Sequence, residues 1–116
     1  MRFFSVAIFL VAALRAEAAM VRVVAIENGR TITVERNGAR ESVRLAGVEV
    51  SDDARARDLL RWTIGNAWVM VEPAGNGDYL VYRSPDALFL NRELVLRGYA
   101  RATLANIAPE LRAPSR

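Results

Sequence analysis

Val43-Arg44-Leu45-Ala46-Gly47-Val48-Glu49-Val50-Ser51-Asp52 is the stretch whose reading decides the fold. Val43 and Leu45 alternate with Ser42 and Arg44, the period of a strand with one face buried. The strand spans Arg40 to Ala46 and runs out into a loop that carries Glu49 and Asp52. From Asp52 to Ile64 the period changes. Ala56, Leu59, Leu60, Thr63 and Ile64 form one stripe, with Arg55, Asp58 and Arg61 away from it, which predicts a helix. Ser51 or Asp52 can cap its start, and Gly65-Asn66 ends it.

Working outward, Val21 to Glu27 is a β-branched run and reads as a first strand. Asn28-Gly29 turns the chain into Thr31 to Arg36, with Ile32 and Val34 on one face and the threonines on the other. Asn37-Gly38 is a hairpin signal, because its residues tolerate positive φ. Beyond the helix, Ala67 to Glu72 and Asp78 to Arg83 read as strands separated by the glycine-rich turn Pro73 to Gly77. Ser84-Pro85-Asp86 turns again. Asn91 can cap a short helix through Arg97, closed by Gly98. Three strands, a helix, two strands and a second helix predict a mainly β chain with helices, a small five-stranded barrel of the OB type. Small α+β sandwiches can share that pattern.

The chain has 116 residues, enough for one domain. Phe3 to Leu14 is apolar apart from Ser5, follows Arg2 and precedes Ala16-Glu17-Ala18, the layout of a secretory signal peptide cut after Ala18. An uncleaved membrane anchor is the alternative, but about 20 apolar residues are needed to span a bilayer. The expected organisation is a signal peptide at 1–18, a domain at 19–104, and a tail or truncated helix at 105–116. Export places the chain outside the cell or in the periplasm, with no stable membrane span after cleavage.

There is no cysteine and no histidine. That removes disulfides, the Ser-His and Cys-His nucleophile systems and the usual zinc sites. Every basic side chain is arginine. Losing Arg2, Arg15 and Glu17 with the signal peptide takes the net charge from +3 to +2. Arginine and acidic residues are interleaved rather than clustered, a solvated mixed-charge surface more than a nucleic-acid footprint.

The Arg44 segment resembles the active-site segment of the staphylococcal nuclease-like (thermonuclease) family, roughly V-R-L-x-G-I-D-x-P-E. Two further pieces are similar: Asn28-Gly29-Arg30-Thr31, and Asn91 to Ala100 against the family helix N-x-x-L-V-x-x-G-x-A. The resemblance covers about Val21 to Ala102 and implies an OB-type barrel. In the family it implies calcium-dependent phosphodiester cleavage. Two aspartates hold the ion, a glutamate activates water and two arginines stabilise charge on the phosphate. Carried onto this chain, the strand arginine is Arg44. The second metal aspartate is Glu49, and the water-activating glutamate is Asp52, one methylene shorter. The first metal aspartate is replaced by Arg30, and the second arginine falls at Asp78. Only Arg44 is unchanged, and two positions reverse sign. The reciprocal reversal predicts that Arg30 and Asp78 form an ion pair across the pocket.

These departures point to a catalytically impaired module that binds nucleic acid or an envelope protein, with no cofactor. Arg44, Tyr79, Tyr82 and Arg83 are its candidate contacts. Trp62 reads as a boundary residue, and Trp68 and Tyr82 as core. The alternative is a weak calcium-dependent nuclease acting on DNA or RNA, with Arg44 and Asp52 catalytic and Glu49 on the metal. A third reading is a decaying structural fragment, whose family C-terminal helix begins at Ala108-Pro109-Glu110-Leu111 and is cut short.

Overall fold

A computed structural model describes residues 18–108. All but the last residue of the expected signal peptide at 1–18, and the chain from residue 109 onward, lie outside the described residues. Seven strands and two helices follow in order: β1 (Ala19–Ile26), β2 (Thr31–Arg36), β3 (Ala39–Leu45), β4 (Val48–Val50), α1 (Asp53–Ile64), β5 (Trp68–Pro73), β6 (Asp78–Arg83), α2 (Leu90–Leu96) and β7 (Ala100–Ala102). Five strands close into a barrel in the order β1-β2-β3-β6-β5, and β4 pairs with β7 in a separate ribbon. This is the expected OB-type barrel with two short helices.

Local chemistry accounts for the meander. Asn37 and Gly38 both take positive φ, 53° and 81°, as a two-residue hairpin turn requires. The β1–β2 register shifts between Val23 and Ala25, an irregularity that bends and twists a strand and so helps the sheet curl. The seam is the parallel pair β3–β6, which has only the register partners Arg44↔Asp78 and Leu45↔Tyr79. Inward residues alternate as expected. Val21, Val23, Ile32, Val34, Val43, Leu45, Val69, Val71 and Val81 are buried in one cluster with Ala56, Leu59, Leu60 and Ile64 of α1 and Leu90 and Leu94 of α2.

Several expectations need correction. β4 and β7 are too short to show a period, and neither is legible as a strand. Asn91 does not cap α2; Phe89 holds that place, with no side-chain cap. Asn91 is instead fully buried. Its Nδ2 donates to the carbonyls of Ala46 (2.8 Å) and Tyr79 (3.0 Å), and its Oδ1 accepts from Val81 N–H at 2.9 Å. The other end of α2 is as expected. Gly98 has φ 81°, its N–H reaches the Val95 carbonyl at 3.0 Å, and Tyr99 N–H reaches Leu94 at 3.0 Å. That is the paired-bond stop that a left-handed glycine allows. Trp68 is not core; β5 turns it outward and it is 53% exposed. Within the expected tail from residue 105, Ile107 and Ala108 are buried.

Candidate functional site

The barrel closes on Asp78. It opens β6 directly after the Gly75–Gly77 turn, where both glycines have positive φ. Closure of β3 on β6 sets Asp78 beside Arg44, and β2–β3 pairing sets Thr31 beside Arg44 in turn. Arg30 immediately precedes Thr31, so three strand ends bring three charges together. Arg30 Nη2 donates to Asp78 Oδ2 at 3.0 Å, which is the ion pair expected from the sign reversal. Arg44 Nε donates to Asp78 Oδ1 at 2.7 Å. Arg30 Nε also donates to the Leu45 carbonyl at 3.0 Å. The Asp78 side chain is 13% exposed, and each of its oxygens accepts from one guanidinium. Such charge-assisted bonds are the stronger kind. The cluster keeps one net positive charge.

The other candidate residues are held elsewhere. Glu49 stands opposite Arg101 across the β4–β7 ribbon and accepts a hydrogen bond from it. That hydrogen bond, and then the charge of Arg101, holds the Glu49 carboxyl below the usual carboxylate range. Asp52 caps α1, its Oδ1 accepting from Arg55 N–H at 3.1 Å. Its neighbour Asp53, which sequence reasoning passed over, accepts from Gly29 N–H at 2.7 Å and ties α1 to the β1–β2 turn. A Cβ on Gly29 would come within 2.8 Å of Ala56 Cβ and Asp53 Oδ1, so only glycine permits that approach.

The four candidate binding residues do not gather in one place. Tyr79 lies inside the barrel at 3% exposure and does not present its ring as a stacking platform, because the strand period turns it inward. Tyr82 faces outward, half-buried, and stacks on Phe89 with ring centroids 4.7 Å apart. Burial, and then the charge of Glu72, raise its hydroxyl pKa. Arg83 grips Asp86 through Nε at 3.0 Å and Nη2 at 2.5 Å, and reaches the Thr63 carbonyl at 3.1 Å. Asp78 and Arg83 are the two ends of β6, five residues apart on an extended strand, about 17 Å. Arg44 therefore serves one end and Tyr82 and Arg83 the other. Trp62 is no boundary residue; it is 86% exposed.

Calcium needs several convergent hard oxygens. Among the described residues no three acidic side chains gather to hold a metal. Glu49 is taken by Arg101, and Asp78 by two arginines. The side chains present do not fit the ion. Asp53, Phe89, Asn91 and Arg101 are among the structural residues that sequence reasoning missed or misread. Arg101 had no legible signal, since its role depends on the β4–β7 pairing. No protein-family model matches the chain, and a search of curated proteins finds no match.

Proposed function

We propose that this chain is an exported staphylococcal nuclease-like barrel that does not cleave phosphodiesters and works as a binding module. The observation that carries this reading is Asp78 taking both Arg30 and Arg44. A phosphodiesterase needs arginines aimed at charge developing on phosphate, and removing one such donor costs roughly a hundredfold or more in rate. Here both guanidinium groups at the mouth point at a carboxylate of the chain itself. Glu49 is likewise engaged by Arg101. Asp52 is committed to capping α1.

The test is to incubate the purified mature chain with single-stranded DNA and calcium, with and without a chelator. The expected outcome is no cleavage in either arm. Chelator-sensitive cleavage that disappears in Arg44→Ala would overturn the reading in favour of a calcium-dependent nuclease.

A further inference from the structure

We propose that the open edge of β3 binds an extended acidic segment of a partner protein, which adds to the barrel as a further strand. β2 runs beside β3 from Ala39 to Arg44, whereas β6 meets it only at Arg44 and Leu45. The residues before Asp78 turn back towards β5: Ala74 N–H reaches the Asp78 carbonyl at 2.8 Å, and Pro73 pairs with Tyr79. Among the described residues, 39–43 therefore have no strand beside them on the seam side. That is about 17 Å of edge. Bonds at the end of the strand show which groups it presents. Leu45 N–H donates to the Arg30 carbonyl at 2.8 Å, on the β2 side, and Ala46 N–H to the Tyr79 carbonyl at 2.7 Å, on the β6 side. Successive residues of a strand send their N–H and C=O to opposite edges. Counting back, Glu41 and Val43 face β2, and Arg40 and Ser42 present N–H and C=O to the open side. Such a row is a template for a further strand.

Side chains choose the occupant. Arg40, Ser42 and Arg44 are exposed, on the outer face of this edge. Among the described residues, Arg40, and Arg36 on the other side of the hairpin turn, make no side-chain ion pair or hydrogen bond. Arg44 shares Asp78 with Arg30, which leaves that cluster one positive charge. Between Arg40 and Arg44, the Ser42 hydroxyl donates to Glu27 at 2.6 Å, so the middle position adjoins a negative charge. A strand laid on this edge is matched by carboxylates opposite Arg40 and Arg44 and an uncharged hydroxyl opposite Ser42. A second copy fits poorly. Antiparallel pairing of β3 with itself, centred on Ser42, Glu41 or Arg40, sets Arg40 against Arg44, Glu41 against Glu41 or Arg40 against Arg40. Each register places like charges opposite one another, which is destabilising. Charged side chains on an edge ordinarily block pairing; here they block the chain's own copy and leave an acidic strand as the complement.

This proposal is independent of whether the mouth at Asp78 cleaves phosphodiesters. It is tested on the ¹⁵N-labelled mature chain by amide hydrogen exchange, with and without an acetylated and amidated pentapeptide, glutamate-valine-threonine-valine-glutamate. In the free chain the Arg40 and Ser42 amides should exchange fast, while those of Glu41 and Val43 are protected by β2. The peptide should slow Arg40 and Ser42 saturably and change Glu41 and Val43 less. Affinity read from the amide shifts should fall about threefold in Arg40→Gln, the scale of one exposed ion pair, and about tenfold in Arg40→Glu, where repulsion replaces it. Arg40 is exposed, and far-UV circular dichroism checks that both variants fold. Slow exchange at Arg40 and Ser42 in the dilute free chain would show the edge covered and overturn the proposal. So would absence of protection by the peptide, or equal affinity for a lysine-valine-threonine-valine-lysine peptide. Protection that rises with protein concentration alone would assign the edge to a second copy, and equal protection by a thymidine oligonucleotide would assign it to polyanions in general; either overturns the acidic strand.

Discussion

Asp78 accepts from two arginines that would otherwise face each other across the mouth of the barrel. Asp78→Asn keeps the shape and removes the charge, so both guanidinium groups lose their counter-ion. The expected loss is about 2 kcal/mol in urea unfolding. Arg44→Ala, at a half-exposed residue, is expected to cost under about 1 kcal/mol. The opposite ranking would show that Asp78 is not the hub. Asn91→Ala leaves two carbonyls and one N–H without their buried partner, and a loss of about 3 kcal/mol is expected by the same measurement. At Asp86 the hydrogen bond from Arg83, more than any other influence, lowers the carboxyl pKa from its ordinary 3.8 to about 2. A pKa depressed by folding adds stability that is complete above the ordinary value and fades as pH falls through the folded one. The Asp86 contribution should therefore disappear between about pH 4 and pH 2. Urea midpoints across that window should fall less steeply in Asp86→Asn than in the natural chain.

At the scale of elements, the loop between β3 and β4 turns on Gly47, which has φ 74°. A Cβ there would overlap the Ile107 side chain and come within 2.8 Å of Leu104 Cδ1. Glycine thus serves both the backbone conformation and the close packing of the chain after β7. Gly47→Ala combines left-handed strain with a clash, and a loss of more than about 2 kcal/mol is expected. Gly38→Ala, also at positive φ but in open space, should cost about 1 kcal/mol. Equal losses in chemical denaturation would show that the residues beyond β7 do not pack on the β3–β4 loop.

For the whole molecule, the core of the described residues is aliphatic apart from Tyr79, and both tryptophans lie outside it. Trp62 and Trp68 keep most or half of their surface in water. Native indole emission should therefore be readily quenched by iodide, and unfolding should change it little while far-UV circular dichroism changes fully. A strong blue-shifted native emission would contradict the placement of both side chains. The barrel also draws its parallel seam from only two register pairs, reinforced by the charge cluster around Asp78. The same seam is also bridged by Asn91, whose Nδ2 donates to the carbonyls of Ala46 and Tyr79.

The sequence alone determined what neighbouring residues decide: the strand alternation at Ile32, Val34, Val43 and Leu45, the turns at Asn37-Gly38 and Gly98, the stripe of α1, and from their order the barrel. The pairing of Arg30 with Asp78 was anticipated only through the resemblance to the nuclease-like family, not from the residues by themselves. Only the tertiary structure decided that Arg44 shares the same carboxylate, that Glu49 is answered by Arg101, that Asn91 is a buried bracket and not a cap, and that Trp68 faces water. Those outcomes join residues tens of positions apart or depend on which side of a closed sheet is covered. Local propensity and periodicity carry no information about either, because the relevant contacts exist only once β3 has met β6 and β4 has met β7.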